Sequence, residues 1–573
     1  MASDKKEPRV FSIERDRPAP AETLLPAVGN KAFNLMRLAA LGLPVPPGFV
    51  LSTDFCQGFI AAGRRLPAKL PDLLAQEIRR VEKASGLLFG DPNRPLLVSV
   101  RSGAAVSMPG MMDTLLNIGL SDRTLPGFIG LTGNPRLAWD CYRRLIQSFA
   151  ETVHGIAAAP FDGAVAEALG HAGAAAVPEL DTLSLRQLVR NLLEVYADEV
   201  GDPFPESPSE QLEAAVGAVF RSWESPRAIE YRRLNGLDGL AGTAVTVQRM
   251  VFGNAGGQSG AGVGFTRDPA SGEKKLYLDF AANAQGEDVV SGRCGLTRAD
   301  GLERLMPTLY GELVDIVRRL ETAFLDVQDF EFTIEDGRLF LLQTRNAKRT
   351  PWAALRIAVD LAEEGLIATD TALARLAKVD LSKLARRRVK AEQAPLGRGV
   401  PASLGVASGP IALSSAAAEL FAKAGRAPIL VREDTATTDI AGMAVAAGIL
   451  TARGGRTSHA AVVARQLDKV CLVGCEALTV AADGRGCRIA GRELLEGDML
   501  TLDGEGGAIY AGEVAAIEER PTAALAKIAA WRAAADRGHS PPASTPAVHP
   551  SMLLIPAPPP HPALPPAALS AAD

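Results

Sequence analysis

Hydrophobic residues recur at helical or strand spacings along separate stretches of the chain. In KAFNLMRLAALG the apolar residues follow a helical period that ends at Gly42. FVLST and LLVSV are short apolar runs typical of buried strands, and residues 134–235 have a mostly helical pattern. Between residues 243 and 345 the pattern changes to strands, in TAVTVQRMV, GVGFT, LYLDF, DFEFTIE and RLFLLQTR. A helix-rich region therefore precedes a strand-rich one.

A helical connector and a second compact unit follow the strands. Thr350 and Pro351 are typical of an N-cap and a first helical residue, so a connecting helix is expected to begin there. From Ser540 onward, 11 of the chain's 39 prolines fall within 34 residues, a composition that cannot form a packed core. We expect a first domain, a helical linker, a second compact unit, and a helix remnant with a disordered Pro-rich tail. Their predicted bounds are 1–345, 346–395, 396–515 and 516–573.

Composition and charge narrow the class of protein. The 573 residues are too many for one hydrophobic core. A net charge of −5 and a pI of about 5.9 argue against a nucleic-acid-binding protein. The first ten residues lack the apolar core of a signal peptide, and no apolar run reaches the roughly 18 residues of a membrane span. Six cysteines are too sparse for a disulfide scaffold. We expect a cytoplasmic protein that binds neither nucleic acid nor membrane.

A predicted hairpin brings polar side chains together. DVQDFEFTIEDGRLFLLQTRN alternates polar and apolar residues on both sides of an Asp-Gly pair. A three-residue loop with Gly337 in the left-handed conformation sets the predicted register. That register pairs Ile334 with Arg338, Asp329 with Gln343, and Glu331 with Leu341, with Arg345 on the polar face. The predicted apolar face contains Phe330, Phe332, Ile334, Phe340 and Leu342. A two-residue turn would shift this register and split the polar set.

The polar face of the hairpin suits a metal and a polyphosphate. Asp329 and Glu331 offer the hard oxygen ligands that Mg²⁺ prefers. Arg345 can bind phosphate oxygens through two N–H groups at once, and Gln343 lies beside it. The alternative is the solvated outer face of an ordinary hairpin.

Three other segments are candidates for anion binding. VFGNAGGQSGAGVGFTRDP contains six glycines between Gly253 and Gly264, and such a loop lets backbone N–H groups approach phosphates; the alternative is a flexible hairpin. Arg101 follows a buried strand directly and could bind an anion or form a salt bridge. Lys31, at the start of the first helix, is the fourth candidate, although lone lysines there usually face solvent.

His459 opens the helix that follows GGRTS. A helix N-terminus disfavours positive charge by roughly 0.3–1 kcal/mol, so the imidazole stays neutral and nucleophilic. The free backbone N–H groups at that end can also stabilise an attached phosphoryl group. Thr457 and Ser458 add hydroxyl donors. A purely structural histidine is the alternative for such a residue taken alone.

Several long segments identify the chain as resembling the pyruvate, phosphate dikinase family of phosphoenolpyruvate-utilising phosphotransferases. The match covers roughly residues 10–515 and includes VSVRSGAAVSMPGMMDT, NAQGEDVV, FEFTIEDGRLFLLQTRN, AGMAVAAGILTARGG and TSHAAVVAR. The resemblance implies a multidomain α+β and α/β protein, with an ATP-grasp nucleotide-binding domain and a swivelling phosphohistidine domain. It also implies ATP and Mg²⁺ as cofactors. The β-phosphoryl of ATP would pass to a histidine and the γ-phosphoryl to inorganic phosphate.

The resemblance also implies residue roles. His459 would accept the phosphoryl group, assisted by Arg101, and Thr457 matches a position that is reversibly phosphorylated in some relatives. The metal would be held by Asp329 and Glu331. The implied nucleotide-binding residues are Lys31, Arg101, Gly256, Gly257, Gly260, Asp279, Gln343 and Arg345.

Three departures from the family pattern qualify these roles. The usual Gly-Gly-Lys-Gly is here Gly29-Asn30-Lys31-Ala32, and the family's glutamate before Phe280 is Asp279. The C-terminal barrel that binds pyruvate or phosphoenolpyruvate has no counterpart, because a barrel needs about 250 residues and fewer than 60 follow residue 515. The sequence therefore supports the first half-reaction and lacks the obvious site for the second.

Three functional hypotheses follow. In the first, the enzyme phosphorylates His459 and an acceptor takes the group, either pyruvate on a separate barrel protein or another small molecule. In the second, the chain is a catalytically inactive nucleotide-binding regulatory module that pairs with a full-length dikinase. In the third, it phosphorylates a compound held between its two domains. Whether the chain forms a homodimer stays open.

Overall fold

The computed structural model describes residues 9–15, 17–106, 108, 111–286, 289, 299–390, 394–456, 458–481 and 484–536. The predicted regulatory residue Thr457 and the Pro-rich tail lie outside the described residues. Within the described ranges the chain forms several α/β layers, and no helix there is long and apolar enough to cross a membrane.

The first sheet has five antiparallel strands in the order β1-β2-β5-β3-β4. Its strands are β1 (Val10–Ile13), β2 (Gly48–Leu51), β3 (Val98–Gly103), β4 (Thr114–Ile118) and β5 (Ala244–Arg249). The mostly helical pattern predicted for residues 134–235 is confirmed. A series of helices from this region covers one face of the sheet. Arg101 lies within β3 rather than after it, because the strand continues to Gly103.

The helices of the N-terminal region fall between and after these strands. They are α1 (Leu25–Ala40), α2 (Thr53–Ala61), α3 (Leu70–Ser85), α4 (Leu125–Thr132), α5 (Pro135–Phe149), α6 (Ala159–Ala172), α7 (Thr182–Val200), α8 (Pro208–Ser222), α9 (Pro226–Leu234), α10 (Ala299–Leu305) and α11 (Pro307–Phe324). This series of helices is interrupted near residue 201, since α7 ends at Val200 and α8 begins at Pro208.

A second sheet has four antiparallel strands in the order β7-β6-β8-β9, and we call it the four-stranded sheet. Its strands are β6 (Gly260–Phe265), β7 (Tyr277–Ala282), β8 (Gln328–Glu335) and β9 (Arg338–Asn346). One face shares a hydrophobic core with α1 and α11. Because this core also contains Ile13, Val50 and Ala244 of the first sheet, α1 contacts both sheets. The start of α1 is therefore held beside both.

The register of the β8–β9 hairpin differs from the prediction. Asp336 and Gly337 form a two-residue turn with φ of 46° and 73°, a conformation that matches the strand twist. Glu335 consequently pairs with Arg338, and a β-bulge between Glu331 and Phe332 shifts the register again. The observed polar pairs are Asp329–Arg345 and Glu331–Gln343. The bulge keeps all four polar side chains on one face, which the sequence pattern does not reveal.

The apolar face of the hairpin is only partly as predicted. Phe330, Phe332 and Ile334 are buried in the core with α1. Leu339 and Leu341 join them in place of the predicted Phe340 and Leu342, because the two-residue turn shifts β9 by one position.

The second unit (residues 396–515) contains a mixed sheet in the order β11-β21-β20-β13-β14-β15-β16-β12 and a three-stranded sheet in the order β17-β18-β19. Strands β13 to β16 are parallel neighbours. The strands are β11 (Gly397–Arg398), β12 (Val400–Ser403), β13 (Val406–Ala412), β14 (Ile429–Arg432), β15 (Gly448–Thr451), β16 (Val470–Val473), β17 (Leu478–Val480), β18 (Gly486–Ile489), β19 (Arg492–Leu495), β20 (Met499–Asp503) and β21 (Ala508–Ala511). The helices are α14 (Ser415–Lys423), α15 (Ile440–Val445) and α16 (His459–Gln466).

The two chain segments that enter and leave the second unit pair with each other. The remaining elements are α12 (Pro351–Glu363), α13 (Thr369–Arg375), β10 (Arg386–Val389), β22 (Ala516–Glu519) and α17 (Thr522–Asp536). The predicted N-cap is confirmed, since Thr350 Oγ1 accepts from the Ala353 N–H at 3.1 Å. Strands β10 and β22 form an antiparallel ribbon. Ile528 of α17 is buried with residues of α12 and α13, so the last helix packs on the connector.

Glycines in β6 allow aromatic rings to pack flat on the four-stranded sheet. A Cβ atom at Gly262 would lie 2.3 Å from the Phe332 ring, and one at Gly260 would lie 2.3 Å from the Phe280 ring. Packing against the Phe280 ring therefore explains why residue 260 is a glycine.

Gly262→Ala is expected to lower the midpoint of urea unfolding followed by circular dichroism. The added methyl group must displace the buried Phe332 ring, and overpacking of this kind costs about 1–3 kcal/mol. Gly58→Ala is the matched control, because Gly58 lies in α2 with no atom near its Cβ position. That change should leave stability unaltered or raise it by about 0.4–1 kcal/mol. Equal midpoints for the two variants would contradict the packing explanation.

Candidate functional site

Two rows of side chains cross the four-stranded sheet on the face opposite α1. Residues paired between neighbouring antiparallel strands project from the same face, so the strand registers define each row. In the order β7, β6, β8 and β9, the first row is Tyr277, Phe265, Asp329 and Arg345, and the second is Asp279, Val263, Glu331 and Gln343. Five of the predicted site residues therefore lie on one surface.

The two carboxylates are held by their neighbours on β9. Arg345 Nε donates to Asp329 Oδ2 at 2.8 Å, and Gln343 Nε2 donates to Glu331 Oε1 at 3.1 Å. Burial raises the pKa of Asp329, although the Arg345 guanidinium opposes this shift. Asp329 Oδ1 is buried and has no hydrogen-bond partner in the described part of the chain. A second acceptor oxygen is thus left for a ligand.

The start of α1 adds Lys31 to the same site and lies beside a second cation, Arg101 of β3. Gly29 has φ of 77°, and a Cβ atom there would lie 2.6 Å from the backbone carbon of Gly103. This close approach lets the Asn30 N–H donate to the Ala104 carbonyl at 3.0 Å. Lys31 is consequently brought beside Arg101 of β3.

Lys31 has an unusual charge state. The pKa of its amine is lowered from 10.5 to about 7, mainly by burial and also by the nearby Arg101 and Arg345 guanidiniums, while Glu331 opposes the shift. A lysine so placed loses its proton easily until an anion arrives. The structure therefore brings Lys31, Arg101, Arg345 and the two carboxylates into one electrostatic cluster.

Asn34 links α1 to the hairpin, a contact that sequence reasoning missed. Its Nδ2 donates to the Thr344 carbonyl at 2.9 Å, one residue before Arg345. The bond fixes Lys31 relative to the polar face. An asparagine in the apolar stripe of α1 was the available signal, since a buried amide needs a partner.

The glycine-rich loop lies at the far end of β6. Gly256 donates its N–H to Asn283 Oδ1 at 3.1 Å, and both Gly256 and Gly257 have positive φ. Ser259 Oγ accepts from the Asp336 N–H at 3.0 Å, which holds the loop against the hairpin turn. The loop thus borders the sheet face, while Gly260 belongs to the strand.

His459 occupies the first position of α16, as predicted. The preceding Ser458 is the N-cap residue and its Oγ is buried without a partner in the described structure. Thr435 Oγ1 lies 3.1 Å from His459 Nδ1. Partial burial lowers the pKa of the imidazole, against the pull of Asp434 and Asp439. The ring is therefore neutral near pH 7, and its Nδ1 is engaged.

The loop before His459 contacts the four-stranded sheet, and we call this the docking contact. Arg456 donates its backbone N–H to Asp279 Oδ2 at 2.6 Å, and its guanidinium carbon lies 4.2 Å from the centre of the Tyr277 ring. Tyr277 Oη donates to the Pro401 carbonyl at 3.0 Å. The second unit is thus seated with its histidine-bearing helix at the carboxylate-bearing face.

Sequence reasoning missed Thr435, Tyr277 and Arg456. Thr435 lies 24 positions from His459, so no local pattern connects them. Arg456 directly precedes Thr457 in the histidine motif, which was the one available signal. Asp279 was predicted to bind nucleotide, and here it accepts from the other unit.

The donor set limits what the site could hold. No group of three or more His, Cys, Asp or Glu side chains suited to a metal ion occurs among the described residues. Two carboxylates with a free oxygen do fit Mg²⁺, because this ion usually takes one or two carboxylates and completes its shell with water and phosphate oxygens. The surrounding cations fit a polyphosphate. The chemistry that suits the site is phosphoryl transfer to a neutral imidazole.

Two family models match the chain. Residues 64–299 match the pyruvate phosphate dikinase AMP/ATP-binding domain, a range that includes Arg101 and Asp279. Residues 425–507 match the mobile domain of PEP-utilising enzymes, a range that includes His459. Lys31 and the β8–β9 hairpin fall outside both ranges.

Curated relatives extend the match beyond those ranges. The pyruvate, phosphate dikinase of Rhizobium meliloti is 44% identical over 524 residues, which cover 89% of this chain and 58% of that protein. The Clostridium symbiosum enzyme of the same name is 42% identical, over 88% of this chain and 58% of its own length. The chloroplastic enzyme of Flaveria pringlei is 44% identical, over 88% and 53% respectively.

The chain therefore spans little more than half the length of these relatives. The two matched domains coincide with the two parts of the molecule that meet at the docking contact. This chain therefore contains a pyruvate phosphate dikinase AMP/ATP-binding domain and a mobile domain of PEP-utilising enzymes, and over most of its length it is similar to pyruvate, phosphate dikinases.

Proposed function

We propose that this chain is an ATP-dependent phosphotransferase in which His459 accepts the β-phosphoryl of ATP. The observation that carries the proposal is the docking contact, which seats the helix headed by His459 on the face bearing Asp329, Glu331 and Arg345. Residues 1–345 act as an ATP-grasp nucleotide-binding domain, and residues 396–515 act as a swivelling phosphohistidine domain. Both assignments rest on the family relationship.

The reaction balances as follows. His459 Nε2 forms a bond to the β-phosphorus, the bond from that phosphorus to the oxygen shared with the α-phosphate breaks, and AMP leaves with the electron pair. Inorganic phosphate takes the γ-phosphoryl, which gives pyrophosphate and leaves one phosphoryl on His459. Nε2 is the attacking atom because Nδ1 is engaged by Thr435 at 3.1 Å. With Nδ1 carrying the proton, Nε2 keeps its lone pair.

The residues around the nucleotide act by position and charge. Lys31, Arg101 and Arg345 neutralise the polyphosphate, and Gln343 donates beside them. Gly257 offers its backbone N–H group at the loop, and the bond from the Gly256 N–H to Asn283 helps to shape that loop. Asp329 and Glu331 would hold Mg²⁺, which neutralises phosphate charge and orients the leaving group when bound. Such preorganised charge is the main source of rate enhancement in phosphoryl transfer.

The acceptor in the second half-reaction is pyruvate or another small molecule, and we propose that a partner protein binds it. The second unit would then move between the nucleotide site and the acceptor site, with the β10–β22 ribbon as its hinge. An inactive regulatory module is the alternative, but a binding module does not need a neutral histidine at the nucleotide site. Label from ATP distinguishes the two.

Incubation with Mg²⁺ and [β-³²P]ATP is expected to place acid-labile label on the chain and to release AMP. His459→Ala should abolish the label, because the acceptor nitrogen is removed. His171→Ala is the matched control, since His171 is an exposed histidine at the end of α6, and it should label as the unaltered protein does. Nucleotide binding without label would instead support the regulatory module, and label passing to a small molecule without a partner would support the third hypothesis.

Lys31 should take up a proton when Mg²⁺·ATP binds. Its pKa of about 7 leaves the amine mostly neutral above pH 7, and the polyphosphate restores the charge. At pH 8 the uptake should approach about one proton per site. Calorimetry in buffers of different ionisation enthalpy measures it.

Lys31→Arg is the matched control for this proton uptake. The guanidinium stays charged throughout this pH range, so the variant should bind nucleotide while taking up no proton through residue 31. Uptake that persists in the arginine variant would assign the proton to another group.

A further inference from the structure

Arg465 is a buried cation at the docking contact that the proposed mechanism does not use. It belongs to α16, and its side chain is 1% exposed. Long side chains in helices point towards the helix N-terminus, and this one returns towards the loop before His459. There Nη1 donates to the carbonyls of Arg456 at 2.9 Å and Ala402 at 3.1 Å.

The other two guanidinium nitrogens have no hydrogen-bond partner among the residues that the structure describes. Arg465 Nε and Nη2 are buried and make no hydrogen bond within the described chain. The guanidinium carbon lies 5.2 Å from the centre of the Phe265 ring. A buried charged donor left unpaired costs at least about 1–3 kcal/mol. A residue that served only to hold the loop would not need these two donors.

Unpartnered polar atoms concentrate at this contact. Among the described residues, nine buried side-chain atoms lack a hydrogen-bond partner. Five of the nine belong to four residues at the contact or its site: Asp329, Arg456, Ser458 and Arg465. They include both donors and an acceptor, and they come from both units. A site that binds a polar ligand explains such a cluster better than scattered packing defects do.

Arg465 lies over the row that contains Asp329. Phe265, beneath the guanidinium, pairs directly with Asp329 across β6 and β8. The two charges lie close enough to influence each other's ionisation. Yet Asp329 Oδ1 and the two free nitrogens of Arg465 all lack a partner, so they do not bond to each other.

A metal–phosphate group would satisfy both sides. A divalent cation suits the carboxylate oxygen, and a phosphate oxygen suits two N–H donors of a guanidinium. A water molecule could bond to both sides but would leave the buried charges uncompensated. The chemistry at the contact thus points to an anion with a bound cation.

We propose that Arg465 is a phosphate-binding residue that the second unit supplies to the nucleotide site when it docks. This inference rests on the proposed function and adds a residue to it. The cation reaches the polyphosphate only in the docked position, so the site is complete only when His459 is also in place. Docking would thereby position both the nucleophile, His459, and the Arg465 charge that stabilises the transferred group.

The test compares two ways of phosphorylating His459. Single-turnover labelling from Mg²⁺·[β-³²P]ATP requires the nucleotide site, whereas potassium phosphoramidate phosphorylates histidine chemically and does not. Arg465→Met should slow labelling from ATP by about 100-fold or more, the usual effect of removing one charge-stabilising donor. Phosphoramidate labelling, followed by mass spectrometry, should proceed at the unaltered rate.

Two further variants sharpen the comparison. Arg465→Lys keeps the charge without the paired N–H geometry and should recover part of the rate. Arg453→Met removes a cation from the same unit that is 63% exposed and pairs with Glu433 at 2.8 Å. It should label from ATP at the unaltered rate.

Three results would overturn the inference. If the Arg465→Met variant is labelled from ATP at a rate within about threefold of that of the unaltered protein, no phosphate contact was lost. Loss of phosphoramidate labelling together with ATP labelling would show that Arg465 only shapes the loop. An unaltered protein that accepts phosphoramidate but never labels from ATP would instead refute the proposed function, and this inference with it.

Discussion

One backbone hydrogen bond brings the two halves of the site together. The Arg456 N–H donates to Asp279 at 2.6 Å, from the loop before the histidine to the edge strand β7 of the four-stranded sheet. Bonds to a carboxylate are shorter and stronger than neutral ones, and this one forms only when the second unit is seated. The stacking of Arg456 on Tyr277 supports the same position. Everything proposed for phosphoryl transfer depends on this seating, because the nucleophile and the phosphate-binding groups belong to different parts of the chain.

The charge balance of the site is the second constraint. Lys31, Arg101 and Arg345 surround Asp329 and Glu331, and Arg465 adds another cation from the second unit. The positive charges of this cluster repel one another, and this repulsion adds to the effect of burial in lowering the pKa of Lys31. A bound polyphosphate would remove it, and the energy recovered would favour binding in the docked arrangement. The site is therefore built for a ligand that carries several negative charges.

The connection between the units combines a rigid base with a narrow link. Arg267 is fully buried and bonds to both Glu321 and Glu364 at 2.8 Å, which ties the four-stranded sheet to α11 and the connector helix α12. Beyond that base, β10 and β22 form a two-stranded ribbon. Arg386 of the ribbon contacts Glu505 of the second unit and Glu519 of the ribbon itself. This ribbon is the place at which we propose that the second unit moves.

Local patterns in the sequence were enough to predict the helix headed by His459 and the strands β6 to β9. They also placed the two carboxylates and Arg345 on one face. These features arise from residues close in sequence, where periodicity and capping decide the conformation. The hairpin register was predicted wrongly, because the energies of a two- and a three-residue turn differ little and the bulge near Glu331 depends on packing. Three contacts could not be predicted from the sequence: Asp279 with Arg456, Thr435 with His459, and Arg465 with Phe265. Each joins residues that are distant along the chain. The fold of the second unit decides the Thr435–His459 contact, and the seating of one unit on the other decides the other two.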